Sequence, residues 1–170
     1  VIRLNLGQTK GIDSILIRSI KYWARKYGEE HIKTPITISY LSLWYFKTSQ
    51  PQKALELALK AFNIQKRILH PTKYDYIQSL YNIATVYNNL YRTDEALHYH
   101  QWADSLYQLA YLPLYTHERA INLSNLGLIH FNRGDYSSAE SSFLQALAIE
   151  EQPLDSATIL NNMAVLADEQ

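Results

Sequence analysis

The 170-residue chain has no cysteine. That excludes a disulfide framework and any thiolate metal site, and leaves both reducing and oxidising compartments open. Glycine and proline number only five each. So few turn residues, set among long apolar-periodic runs, point to an all-helical chain. No apolar run approaches the ~18 residues needed to span a bilayer, and no secretory signal is visible. Charge of one sign is also lacking: Lys plus Arg is 16 and Asp plus Glu is 16. A nucleic-acid binder normally shows a basic excess or patch, so neutrality argues against direct nucleic-acid binding and against an electrostatic membrane anchor. The first residue is Val1 rather than Met, which reads as a fragment or a processed product whose targeting signals could lie elsewhere; the cytoplasm is the favoured compartment. What is present is an apolar fraction of 47%, enough for a core, and 14 tyrosines.

The chain repeats itself. Ala54, Ala96 and Ala139 stand 42 and 43 residues apart. Twelve residues before each is a small residue, Ser42, Ala84 or Gly127, preceded by an aliphatic one, Leu41, Ile83 or Leu126. Tyr45, Tyr87 and His130 share one further slot, and Ala61, Ala103 and Ala146 another. Gly7, Ser49, Tyr91 and Gly134 fall at the break between two helical segments in successive units. Leu160, Met163 and Ala164 continue the pattern, with the last interval shortened to 37 residues. Each unit is two helices. Small residues permit close backbone approach, larger ones such as Leu80, Leu126, Phe143 and Leu147 fill the gaps, and stacked hairpins bury the face that one alone cannot.

The best copy, "NLSNLGLIHFNRGDYSSAESSFLQALAIE", resembles the tetratricopeptide repeat through Leu126, Gly127, Gly134, Tyr136, Ala139, Phe143 and Ala146. His130 departs from the usual tyrosine, and His100 occupies the large apolar slot of the copy before it. The spacing is similar to the long-unit variety seen in kinesin light chains and bacterial peptide-sensing regulators. The resemblance implies an all-α, right-handed superhelical solenoid of about nine helices, with both ends cut from a longer array. The expected units are residues 1–33, 34–72, 73–114, 115–153 and a partial 154–170, in one array.

Local signals place the helices. Val1 to Leu6 reads as the end of a first helix, followed by one from about Thr9 to Tyr27 with Gly28 as its C-cap. Pro35 and Pro51 suit first-turn positions. Further pairs run from about Tyr74 to Leu90 and Thr93 to Ala110, then His117 to Phe131 and Tyr136 to Glu150, with connectors around His70 and Pro113. A last helix starts near Asp155, a plausible N-cap.

Asparagine is a poor helix former, yet Asn82 and Asn89 share a face roughly opposite the core cluster of Leu80, Ile83, Ala84 and Tyr87. Asn125 and Asn132 repeat the arrangement one unit later. Asn162 matches Asn82 and Asn125, while Asn5 and Lys47 occupy the slot of Asn89 and Asn132. A merely solvated face is one reading; Glu, Lys, Gln or Arg would serve it at less cost to the helix. The other is recognition: each asparagine offers one acceptor and two donors on a short stem, suited to an extended peptide backbone. The resemblance implies such a use along the inner face of the superhelix, with Gln78, Tyr81, Thr85, Ser124 and Leu128 as groove neighbours and Phe46, Asn88 and Phe131 toward a rim. A helix of the parent protein or of a partner could dock there instead.

Other features are weaker. His98 and His100 point to different helix faces and cannot share a metal; His100 and His130 read as buried or half-buried histidines with hydrogen-bond partners. The basic run with Arg18, Lys21, Arg25 and Lys26 reads as the solvated face of an outer helix, with Trp23 against the next unit, and Glu150 and Glu151 as a solvated helix end. There is no phosphate loop, no HExxH and no GxSxG. The expected function is a non-enzymatic scaffold, needing no cofactor, whose partner is a protein or peptide segment. The alternative is the sensor or regulatory module of a larger bacterial signalling or transcription-regulatory protein.

Overall fold

The computed structural model describes residues 11–110, 115–150 and 153–169, with side chains from 156 onward in the last stretch. Among the described residues, eight α-helices follow one another: α1 Ile12–Tyr27, α2 Lys33–Lys47, α3 Pro51–Ile68, α4 Tyr74–Asn89, α5 Thr93–Ala110, α6 Thr116–Asn132, α7 Tyr136–Ile149 and α8 Pro153–Asp168. The main pairings are α2 with α3, α4 with α5 and α6 with α7, the hairpins that the period predicts. A ninth helix was expected over Val1 to Leu6, which lies outside the described residues, as do Asn5, Gly7 and Pro113. Gly28 does cap α1, at a positive φ of 91° and with its N–H on the Ala24 carbonyl. Pro51 opens α3, where a missing N–H costs nothing. Asp155 is not a cap: α8 begins at Pro153, whose fixed φ starts the helix two residues earlier.

The hairpin turns share one geometry. Ser49 (φ 58°), Tyr91 (φ 58°) and Gly134 (φ 76°) all adopt the left-handed region. In each, the next residue's N–H reaches back to the helix: Gln50 to the Tyr45 carbonyl at 2.9 Å, Arg92 to Tyr87 and Asp135 to His130 at 3.0 Å. This is a Schellman-type closure, which satisfies orphan carbonyls at the helix end. Only Gly134 adopts it without steric cost. Asp135 then caps α7 by accepting the Ser138 N–H at 3.1 Å, which holds its carboxyl below the usual range.

The chain forms two compact units, Val1–His70 and Pro71–Gln170. The first packs Ile38, Ala61 and Ile64 together, with Ile20, Leu57 and Ile68 against them. Ser42 closes its hairpin by donating to the Ala54 carbonyl at 2.6 Å. Trp23 stacks on Tyr27 (5.8 Å) and His31 (6.4 Å), under the Lys33 ammonium at 4.4 Å. The second unit holds a larger cluster: Ala120, Leu123, Leu126, Ala139, Phe143, Ala146, Ile159 and Leu166. Gly127 is obligatory there. A Cβ on it would come within 2.5 Å of the Phe143 ring, so α6 and α7 cross where only hydrogen fits. Phe131, expected at a groove rim, instead leans on this cluster and on Tyr136 at 5.8 Å.

The neutral total conceals a segregation. Residues 1–70 carry twelve Lys and Arg against four Asp and Glu; residues 71–170 carry four against twelve. Charge therefore disfavours direct nucleic-acid binding by the acidic second unit and not by the basic first.

Candidate functional site

Core residues on α4 and α6 turn the remaining face of each helix outward. Burial of Leu80, Ile83, Ala84 and Tyr87 on α4, and of Leu123, Leu126 and Gly127 on α6, fixes that orientation. The asparagine stripe then splits into two classes. Asn82, Asn125 and Asn162 are half-buried, together with Gln78, Tyr81, Thr85 and Ser124; Leu128 is exposed, and so are Asn89 and Asn132. The exposed pair lies at or beside the C-terminal ends of α4 and α6, beyond the packed stretch. Lys47, the last residue of α2, belongs to the first unit and is exposed.

Two cross-helix hydrogen bonds join α4 to α6. The Tyr81 hydroxyl accepts from Asn125 Nδ2 at 3.3 Å, and the Tyr74 hydroxyl donates to Glu118 Oε1 at 3.4 Å. Tyr74 and Tyr81 are seven residues apart, as are Glu118 and Asn125, so the rungs are two turns apart on both helices. Gln78 Nε2 donates to Asn82 Oδ1 at 3.3 Å, and the Thr85 hydroxyl to the Tyr81 carbonyl at 3.0 Å. The bonds that Asn82 and Asn125 make are both long, at 3.3 Å, which leaves each asparagine with donor and acceptor capacity to spare.

Between α6 and α8 lies a concavity of about 280 Å³. Ser124, Asn125 and Leu128 of α6 wall it, with Thr158, Ile159 and Asn162 of α8 and Glu150. Four residues expected from the sequence thus meet around one hollow. Glu150 is not the solvated helix end that was expected: its side chain is 1% exposed and bonds His117 Nδ1 at 2.9 Å. The sequence held no local signal for that pair, 33 positions apart.

Beneath the face lies a buried polar pair. His100 Nδ1 donates to Asn122 Oδ1 at 2.7 Å, while Asn122 Nδ2 donates to the His100 carbonyl at 3.0 Å. The second bond fixes the amide orientation, and with it the Nδ1–H tautomer. Tyr81 meets the same imidazole edge-on at 5.6 Å. Burial holds His100 down at about pKa 4, opposed in part by the Asn122 bond. His100 is thus the partnered core histidine that the sequence suggested, whereas Asn122 was missed; three positions before Asn125, it sits on the core side of the same helix. His130 is mostly covered and lies 3.4 Å from Asp135. Among the described residues, no group of three or more His, Asp and Glu is placed to hold a metal, and no helix is long and apolar enough to cross a membrane.

Paired helices with a left-handed closure, a small residue at each crossing and a polar face on the first helix of each pair define a helical-repeat protein. Tetratricopeptide repeat profiles match residues 37–108 and 123–152, together more than half of the chain, and the chain belongs to the tetratricopeptide repeat family. Its fold class is the all-α solenoid of that family. Among similar solved structures is BtubC (BKLC) from P. vanneervenii, at TM-score 0.81 and 19% identity, covering 92% of this chain and 64% of that one. The TPR-like repeats of a putative kinesin light chain from Podospora anserina superpose at TM-score 0.81 and 18% identity, covering 96% and 79%. Curated relatives include the clustered mitochondria protein homologs of Aspergillus oryzae and Aspergillus terreus, each 27% identical over 156 residues. The match takes in 88% of this chain but only 12% of their length.

Proposed function

We propose that the face formed by α4, α6 and α8 binds an extended peptide or protein segment, within a protein whose general role is that of an interaction scaffold. The observation that carries this reading is the hollow between α6 and α8. Asn125 and Asn162 face it from two helices, with Ser124 and Thr158 as further polar groups and Leu128, Ile121 and Ile159 as apolar surface. An extended backbone offers alternating N–H and C=O groups, and an asparagine can serve both. Asn82 extends the same row to α4. Asn89 and Asn132, being exposed, serve the flanks of a segment rather than its centre; Lys47, in the other unit, has no part in this face. The bacterial sensor module receives no separate support: the matched curated relatives named above are fungal, and structural likeness at these identities speaks for the fold alone.

Panning a phage-displayed random dodecapeptide library on the wild-type protein tests the reading. Selected peptides should bind at least tenfold more weakly to an Asn125→Ala/Asn162→Ala variant whose far-UV circular dichroism and melting temperature match wild type. Equal affinity for the two proteins would remove the asparagines from recognition.

A further inference from the structure

The N-terminal end of the same face carries a second group of residues that the asparagine row does not use. Tyr74 and Tyr115 stack at 4.9 Å. The Tyr74 hydroxyl reaches Glu118 through a long, 3.4 Å bond, so that carboxylate retains most of its acceptor capacity. Tyr107 of α5 is 6% exposed, and its hydroxyl is buried without any hydrogen-bond partner. That hydroxyl lies near enough to Tyr74, Glu118, Tyr81 and Tyr115 to interact with them electrostatically. Burial pushes the pKa of the Tyr107 hydroxyl up, and burial with Glu118 nearby pushes Tyr74 up to about 12, so both stay neutral hydroxyls at physiological pH.

A buried hydroxyl without a partner is unfavourable, and the ligand that would relieve it is defined by what surrounds it. One carboxylate, hydroxyl oxygens and the faces of stacked phenol rings all favour a cation with several N–H donors. The chain supplies none from these helices. Across α4, α6 and α8 the only Lys or Arg is Arg119, and its Nε is held by Asp104 at 2.8 Å. Lys73, just before α4, is exposed. The whole second unit has an excess of eight acidic residues, twelve against four.

We infer that Tyr74, Tyr107, Tyr115 and Glu118 form a pocket for a cationic side chain, arginine in particular, of the segment that lies along the asparagine row. The inference rests on the peptide-binding reading of that row and adds the class of its ligand: a basic segment. Arginine fits better than lysine because its planar guanidinium can stack on a ring while its edge donates to Glu118 and to the Tyr107 oxygen.

The test uses a fluorescein-labelled octapeptide of alternating Arg and Ser, followed by fluorescence anisotropy at 0.15 M salt. Its citrulline counterpart, isosteric but neutral, is the comparison probe. The wild-type protein should bind the arginine peptide at least tenfold more tightly than the citrulline one. Glu118→Gln should lose at least tenfold of that affinity, and Tyr107→Phe should lose severalfold. Glu140→Gln, which removes the same charge from an exposed site on α7, should change it less than twofold. Equal binding of the two peptides, an unaltered Glu118→Gln, or equal losses at Glu118 and Glu140 would each overturn the pocket, the last by reducing it to diffuse charge attraction. The two proposals fail separately. If library-selected peptides depend on Asn125 and Asn162 while Glu118→Gln binds them and the arginine peptide unchanged, the pocket fails and the row stands. If neither selected nor arginine peptides depend on the asparagines, the row fails as well.

Discussion

The two units are built from the same hairpin yet differ where function would lie. In the first, the slots of Asn82 and Asn89 hold Tyr40, which is 60% exposed, and Lys47. Its helices α1 to α3 are basic, and its lysines lie over Trp23, Tyr27 and Tyr45. In the second, the same slots hold asparagines, Lys and Arg are scarce, and a buried histidine–asparagine pair underlies the face. A repeat fold constrains only the positions that pack. Ala54, Ala96 and Ala139 are each fully buried in their own hairpins, whereas the outward slots are free to diverge in charge and chemistry.

Breaking the second unit's core should separate the two most sharply. Phe143→Ala removes the ring that fills the Gly127 crossing and should cost about 3–5 kcal/mol. Amide exchange should quicken across α6 and α7 while α2 and α3 keep their protection; loss of protection in both would mean that the units do not respond separately. Asn122→Ala strips the buried His100 of its partners and should cost about 1–3 kcal/mol in chemical denaturation. A cost below 0.5 kcal/mol, on the order of a surface change, would deny the pair a structural role.

Acid sharpens the same contrast. His100 has a folded pKa near 4, below the ordinary 6.5. Between those values the unfolded chain binds the extra proton, so stability falls as pH drops from about 6.5 toward 4. Roughly 1 kcal/mol should be lost at pH 5.5. His100→Gln should flatten the dependence, and a melting temperature unchanged between pH 8 and 5.5 would contradict it.

The smallest effect concerns the turns. Ser49 and Tyr91 hold the left-handed conformation that Gly134 adopts freely. Ser49→Gly in one unit and Tyr91→Gly in the other should each stabilise by about 1 kcal/mol. Gly134→Ala should destabilise by a similar amount, although no atom lies within 4 Å of the added Cβ. Melting temperatures report all three.

Much of this is legible in the amino-acid sequence. The hairpin breaks at Ser49, Tyr91 and Gly134 follow from the period, because a repeated backbone bend leaves a repeated slot even where the residue changes. The outward direction of Asn82 and Asn125 follows from helix geometry and the core opposite. What stayed hidden is what residues far apart in sequence do to one another. Glu150 reads as a polar helix end, and only folding brings it to His117. Asn122 looks like one more asparagine until its burial on the Leu123 side shows it to be core. The charge segregation was readable all along, but a whole-chain total erases it; only the boundary near His70 makes the two halves worth counting apart.

The central claim is that α4, α6 and α8 form the recognition face. Its most direct test is nuclear magnetic resonance of the asparagine side-chain amides, assigned by substitution and titrated with a library-selected peptide. The account predicts that the Nδ2 resonances of Asn125, Asn162 and Asn82 shift together and saturably, while those of the buried Asn122 and of the backbone of α5 and α7 move little. Shifts confined to α5 and α7, with the three asparagines unmoved, would contradict it.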